Sequence, residues 1–200
     1  MSDSAEVSQL RLYRKFVNET AKAAEEQKRP SEPFLTRHSF HAAVVVNVLF
    51  QLANEVVQIL TKQFSPEIYG TTDIDLTARD FLERSFKRRE GRPGIIILYE
   101  DDIDIKSRTI IKSVSDYNHA PFKNSIKVMQ VPKIVRDTYS FHFMVVDGIH
   151  FRFTELRDQV EALNQFNQPV FGAELRASFC KIWEQSEANA LPHHGARLID

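Results

Sequence analysis

Apolar residues recur every three or four positions in two segments of the first third of the chain. Residues 4–28 combine this spacing with a background rich in Ala, Glu, Lys and Gln, which predicts an amphipathic helix. Residues 29–33 contain two prolines, which end a helix and hold the chain extended. A second helix is predicted from about Arg37 to Ala53, and its wide apolar face indicates deep burial.

Short apolar runs bounded by turn residues predict buried strands in the middle of the chain. Residues 55–61 form one such run, and residues 95–99 (Ile-Ile-Ile-Leu-Tyr) form a second. Alternating apolar and polar residues predict a third strand at residues 125–131. Helical spacing at residues 73–89 and 103–117 places a helix between each pair of successive strands.

The most strongly β-prone segment covers residues 139–153, and we predict two strands joined at Asp147-Gly148. This dipeptide tolerates the positive φ of a tight hairpin turn. If Phe141 and Phe143 face the core, the histidine between them faces the opposite side of the sheet. The polar residues of the segment form the main candidate constellation, namely His142, Asp147, His150 and Arg152.

The last third of the chain is predicted to be mainly helical. Residues 155–167 are mixed, with apolar residues at helical spacing, and residues 169–187 predict a long amphipathic helix. Cys180 sits beside the apolar face of that helix, so we expect it to be partly buried and unreactive.

These elements predict an α/β fold with a mixed β-sheet flanked by helices. The strand-helix-strand units supply its parallel part and the hairpin its antiparallel part. We expect three regions: an N-terminal helix and linker at residues 1–33, an α/β domain at residues 34–187 and a flexible tail at residues 188–200.

Composition and charge narrow the classes of partner. The formal net charge of the 200 residues is −1, which gives no global electrostatic reason to bind nucleic acid. The single cysteine excludes an intrachain disulfide and argues against a zinc site. The N-terminus lacks the apolar core of a signal peptide, and the longest apolar run is too short to span a bilayer. We therefore expect a cytoplasmic protein with no cofactor and no metal.

No glycine-rich phosphate loop and no Gly-x-Ser-x-Gly elbow occur in the sequence. An acidic run follows the second predicted strand, at Glu100-Asp101-Asp102, either as a metal cluster or as a solvated run that caps the next helix. Arg152 and Glu155 are candidate binding residues that could also pair with each other. A basic cluster is a candidate for contacts with nucleic acid or lipid phosphate, or is only a solvated helix end: Lys87, Arg88, Arg89 and Arg92.

The order of elements, and a late strand with His-x-x-x-x-Asp-Gly before an aromatic strand and a final amphipathic helix, resemble one half of a phospholipase D-like domain. The resemblance covers residues 56–184. The signature of that superfamily is His-x-Lys-x-x-x-x-Asp, in which the histidine becomes a phosphohistidine and the lysine binds phosphate. Its active sites combine two such motifs, from two repeats or two subunits.

The sequence departs from this signature at two positions after the histidine. His142 stands for the nucleophile, but Met144 occupies the place of the lysine and Asp147 falls two residues early. A phosphate needs cations or oriented donors, and a methionine supplies neither. The chain also resembles the inactive phospholipase D-like domains that serve as binding modules.

Three hypotheses follow. The first is a non-enzymatic interaction or regulatory module with a degenerate phospholipase D-like fold, acting as a homo-oligomer, expected to be a dimer, or on a protein partner. The second is a homodimeric phosphodiesterase or nuclease in which two copies of His142 meet. The third is a nucleic-acid-binding protein that uses the basic cluster.

Overall fold

The computed structural model describes residues 3–62, 65–101, 124–156 and 159–190, with side chains from residue 7 onward. The helix predicted at residues 103–117, the acidic residue Asp102 and the last ten residues of the tail lie outside this part of the chain.

The described residues form six helices and seven strands. In the middle of the chain, strands and helices follow one another in the predicted order. The helices are α1 (Asp3–Gln27), α2 (Ser39–Leu52), α3 (Pro66–Tyr69), α4 (Thr72–Arg89), α5 (Lys133–Arg136) and α6 (Pro169–Asn189). The strands are β1 (Phe34–Thr36), β2 (Val57–Thr61), β3 (Ile95–Tyr99), β4 (Ile126–Gln130), β5 (His142–Val146), β6 (His150–Thr154) and β7 (Ala162–Gln165).

The seven strands form one mixed sheet in the order β1-β7-β6-β5-β2-β3-β4. Strands β2, β3 and β4 are parallel, and β5 joins them antiparallel to β2. The remaining strands continue the sheet in antiparallel pairs. The predicted α/β class with a mixed sheet and flanking helices is therefore confirmed.

Strands β1 and β7 are the main departure from the sequence-based prediction. The helical spacing at residues 155–167 was misleading, because residues 162–165 form a strand between β6 and β1. The Asn164 side chain stabilises this edge, since its Nδ2 donates to the carbonyl oxygens of Phe34 and Ala162, each at 3.0 Å. Pairing between distant segments outweighs local spacing here.

Helices cover both faces of the sheet. One face packs against α1, α2 and α4, and its buried residues include Ile59, Ile97 and Met144. The other packs against α6, with Phe143 and Phe151 in its core. The side chains on α1 that join the first core are Val17, Ala21 and Ala24. Cys180 is exposed on α6, so the expectation of partial burial is wrong.

The register of the hairpin places its polar residues. His142 pairs with Thr154, Met144 with Arg152 and Val146 with His150, so these six side chains share the face covered by α1 and α2. The expected position of His142, opposite to Phe143, is therefore confirmed.

The turn of the hairpin is fixed by Asp147. Its φ is 53° and that of Gly148 is 72°, as a tight hairpin turn requires. The Asp147 carboxylate accepts the backbone N–H groups of Asn54, Glu55 and Val56 at 2.7, 2.9 and 2.8 Å. Asp147 therefore ties the hairpin turn to the connection between α2 and β2.

Candidate functional site

The candidate site lies at the edge of the sheet where the parallel strands end. Strands β2 and β3 run to this edge, and β5 begins there because it is antiparallel to β2. Strand β6 returns to the same edge at Thr154, opposite His142. In open α/β sheets, ligands bind outside the carboxyl ends of the strands.

A histidine and a carboxylate meet at this edge. The Nε2 atom of His142 lies 3.1 Å from Oε1 of Glu100, and the two residues are 8% and 3% exposed. The residue that follows β3 thus reaches the first residue of β5, although β2 lies between the two strands. A buried carboxylate in hydrogen-bond contact with an imidazole fixes the orientation of the ring.

Arg152 lies close to this pair, on the same face of the sheet. Its side chain is directed by β6, its NH1 donates to Thr154 Oγ1 at 3.2 Å, and its NH2 donates to the Val160 carbonyl oxygen at 3.1 Å. Burial lowers the pKa of Arg152, while the neighbouring phenol groups of Tyr69 and Tyr13 act in the opposite direction. The expected pair of Arg152 with Glu155 is not formed, because the guanidinium takes these two neutral acceptors and Glu155 lies exposed at the end of β6.

A pocket of about 270 Å³ opens between this edge and the short helix α3. His142, Arg152 and Thr154 form its floor from the hairpin side. Other polar groups at the pocket come from β2, α3 and the residues between them, namely Lys62, Ser65, Glu67 and Tyr69. The pocket brings a histidine, an arginine and a lysine together with hydroxyl groups, which suits an anionic group.

The hairpin constellation expected from the sequence is split between two places. His142 and Arg152 belong to the pocket, whereas Asp147 is at the turn, on the opposite edge of the sheet. His150 is also near the turn, 1% exposed, and its Nδ1 accepts the backbone N–H of Asn167 at 3.1 Å. Burial lowers the pKa of His150 to about 4. His150 and Asp147 are therefore structural residues of the turn.

The basic cluster also lies away from the pocket, near the amino end of β3. Lys87, Arg88 and Arg92 are exposed, but Arg89 is only 3% exposed. The Arg89 guanidinium donates to Ser85 Oγ, to the Leu82 carbonyl oxygen and to the Arg92 carbonyl oxygen at 2.9, 3.1 and 2.8 Å. The Arg89 guanidinium is thus bonded within its own helix and to the residue that follows it, and it is not exposed as a binding residue would be.

The acidic run after β3 is used in part for structure. The Arg136 NH1 donates to the Glu100 carbonyl oxygen at 3.2 Å and lies 3.6 Å from Asp101 Oδ1. Across the described part of the chain, no group of three or more His, Cys, Asp or Glu side chains is placed to hold a metal ion.

Sequence reasoning missed the partners that complete the pocket. Lys62, Ser65 and Tyr69 come from a segment in which the sequence pattern predicts only the end of a strand and the loop that follows it. Glu100 was noted as part of an acidic run, and its contact with His142 was not expected. The only available signal was its position directly after a buried parallel strand.

Comparisons with known proteins agree with this fold. No protein-family model matches the sequence, and no curated protein matches it. Among solved structures, the archaeal chromatin protein TrmBL2, reported to show a novel mode of DNA binding, is similar at a TM-score of 0.52 and 11% identity. That match covers 92% of this chain and 65% of TrmBL2, so this chain spans about two thirds of its length.

Two further solved structures are also similar. Nuc from Salmonella typhimurium, a phospholipase D family member, matches at a TM-score of 0.51 and 13% identity, over 78% of this chain and 96% of its own. NucT from Helicobacter pylori matches at 0.49 and 12% identity, over 76% and 96%. At such identities the likeness to Nuc shows the fold alone, and the fold is phospholipase D-like. None of the helices described is long and apolar enough to cross a membrane.

Proposed function

We propose that this protein is a non-enzymatic interaction or regulatory module built on a phospholipase D-like fold. The observation that carries the proposal is the burial of Met144, which stands where the resemblance places the phosphate-binding lysine. Met144 is 1% exposed and packs in the apolar core beneath α2. A phosphoryl group beside His142 is therefore not held by the cation on which phospholipase D-like chemistry depends.

The environment of His142 supports the same proposal. The Nε2 atom contacts Glu100, and the residue is 8% exposed, so access of a bulky phosphodiester to the ring is restricted. We further propose that the module acts as a homo-oligomer or through a protein partner, since the net charge of −1 does not favour nucleic acid. The burial of Arg89 also weakens the case for nucleic acid.

A phosphodiesterase or nuclease is the second candidate, and one observation favours it. The pairing of His142 with Glu100 is an arrangement that activates a histidine for nucleophilic or acid–base catalysis. In this case two copies of His142, one from each protomer, would share a site. One imidazole would attack the phosphorus and form a covalent phosphohistidine, while the displaced ester oxygen leaves with a proton from the other.

Turnover separates the two candidates. The purified wild-type protein and the His142→Ala variant are incubated with bis(p-nitrophenyl) phosphate, DNA, RNA and phospholipid vesicles, and the molar mass in solution is measured beside them. We expect equal, background rates for both proteins and no phosphohistidine by mass spectrometry. A rate that depends on His142, or a phosphohistidine adduct in the wild type, would reject the non-enzymatic proposal.

A further inference from the structure

Arg152 is a buried cation whose described contacts are all neutral. It is 8% exposed, its two hydrogen bonds go to a hydroxyl and a carbonyl oxygen, and its Nε has no hydrogen-bond partner in the described part of the chain. No carboxylate among the described residues forms an ion pair with it. A buried charge without a counter-charge costs several kcal/mol, so such groups are normally paired.

Beside His142, the polar side chains that share the pocket with Arg152 are hydroxyls, a lysine, a glutamine and one carboxylate. Lys62, Ser65, Tyr69 and Thr154 line the same pocket. The carboxylate at its rim belongs to Glu67, which is exposed and already accepts from Ser65 Oγ at 2.9 Å. Neither Glu67 nor any other described carboxylate is bonded to Arg152, so its charge has no bonded counter-charge among the described residues.

A second phenol, besides that of Tyr69, lies near Arg152 without compensating its charge. The hydroxyl of Tyr13, on α1, is buried without a hydrogen-bond partner in the described part of the chain and is close enough to Arg152 to interact electrostatically. Burial raises the pKa of Tyr13 to about 12 and also raises that of Tyr69. Both phenols are therefore neutral at physiological pH and do not neutralise the guanidinium.

We propose that the pocket beside His142 binds the oxyanion group, carboxylate or phosphoryl, of a small ligand through the guanidinium of Arg152. A planar guanidinium suits both groups, because two of its N–H bonds match the spacing of two oxygen atoms. The volume of about 270 Å³ accommodates such a group with a few attached atoms. The inference rests on the proposed function, since it names the ligand class of a module that binds without turnover.

Titration calorimetry at low ionic strength tests the inference on the full chain. The probes are inorganic phosphate, sulfate and malonate, so that a preference for phosphoryl or carboxylate groups is measured directly. We expect saturable binding of at least one probe and a loss of about tenfold or more in the Arg152→Met variant, the effect of removing a charged hydrogen bond. The matched control is Arg176→Met, an exposed arginine on α6, which should bind as the wild type does.

A wild-type measurement covers the case in which Arg152→Met fails to fold. The Nε–H signal of Arg152, assigned through its own side-chain carbons, should shift on addition of the anion and saturate with the calorimetric dissociation constant. The inference is overturned if no probe binds saturably, if Arg152→Met retains the wild-type affinity, or if that signal does not move. These results leave the turnover comparison with His142→Ala untouched, so failure of either proposal can be recognised separately.

Discussion

Replacing Asp147 tests the claim that this residue is structural. Its carboxylate accepts three backbone N–H groups, from Asn54, Glu55 and Val56, at 2.7 to 2.9 Å. The alanine variant removes all three bonds and leaves alanine at a φ of 53°, in the left-handed region that Asp and Asn tolerate better. The asparagine variant keeps one acceptor oxygen and tolerates this φ.

The expected magnitude follows from burial. A hydrogen bond to a charged group contributes about 1.5–3 kcal/mol, but the N–H groups of Asn54 and Glu55 are exposed and regain water when the carboxylate is lost. We therefore count the Val56 bond nearly in full and the other two in part, about 3 kcal/mol together. The left-handed backbone adds about 1 kcal/mol for alanine. Asp147→Ala should cost about 4 kcal/mol and Asp147→Asn about 2 kcal/mol.

Urea unfolding followed by the fluorescence of Trp183, the single tryptophan, measures both variants. Trp183 is half-buried and stacks on Phe179, so its emission reports the packing of α6 on the sheet. The control is Glu174→Gln, an exposed acidic residue on the same helix, expected within about 0.5 kcal/mol of the wild type. A cost below about 1 kcal/mol for Asp147→Ala, with an unchanged denaturant slope, would refute the reasoning.

Two further perturbations test the same end of the hairpin. Burial lowers the pKa of His150 from 6.5 to about 4 in the folded protein. Between these two pH values the unfolded chain therefore binds more protons than the folded protein does. The free energy of unfolding should be highest above pH 6.5 and fall by about 3 kcal/mol as the pH is lowered to 4. Urea unfolding at several pH values should show a smaller fall in His150→Gln, and an equal fall would contradict the assignment. Gly172→Ala should destabilise by about 2 kcal/mol, because the new β-carbon would contact the Gly148 carbonyl oxygen and lie 2.6 Å from its carbon, so that α6 must shift. A melting temperature at or above that of the wild type would show that the close approach is not rigid.

The sequence predicted those parts of the fold that depend on local patterns. The apolar runs at β2 and β3 and the Asp147-Gly148 turn were recognised because burial and turn chemistry leave marks within a few residues. Strand β7 was not recognised, because its four residues are too short to show a period and pair with β1, more than 120 positions earlier. Contacts at that separation leave no local spacing to read.

The sequence predicted individual residues of the candidate site, but not the contacts between them. Alternation along β5 correctly placed His142 on the face away from Phe143. The contact with Glu100 was not predictable, since it depends on β3 lying two positions away from β5 in the sheet. Arg152 was named as a binding residue, but its pocket depends on α3 and on the end of β2. The contacts that the sequence did not predict depend on the order of the strands in the sheet, which residue types alone do not reveal.

The length of the hairpin explains why a histidine and an aspartate in one strand do not form one site here. Strands β5 and β6 are each five residues long, so His142 lies at one edge of the sheet and Asp147 just beyond the other. At about 3.3 Å per residue, five steps separate their backbones by about 16 Å, which the two side chains cannot bridge. The carboxylate that reaches His142 instead comes from Glu100, at the same edge.

This separation divides the hairpin by role. The turn end is held to the α2–β2 connection by Asp147 and to α6 by the close approach of Gly172 to Gly148. The open end carries His142 and Arg152, two buried polar groups that line the pocket, and the Arg152 Nε has no partner in the described part of the chain. The residues that hold the turn are thus separate from those that line the pocket, so the proposed anion site can be tested with substitutions that leave the turn contacts of Asp147 and Gly172 in place.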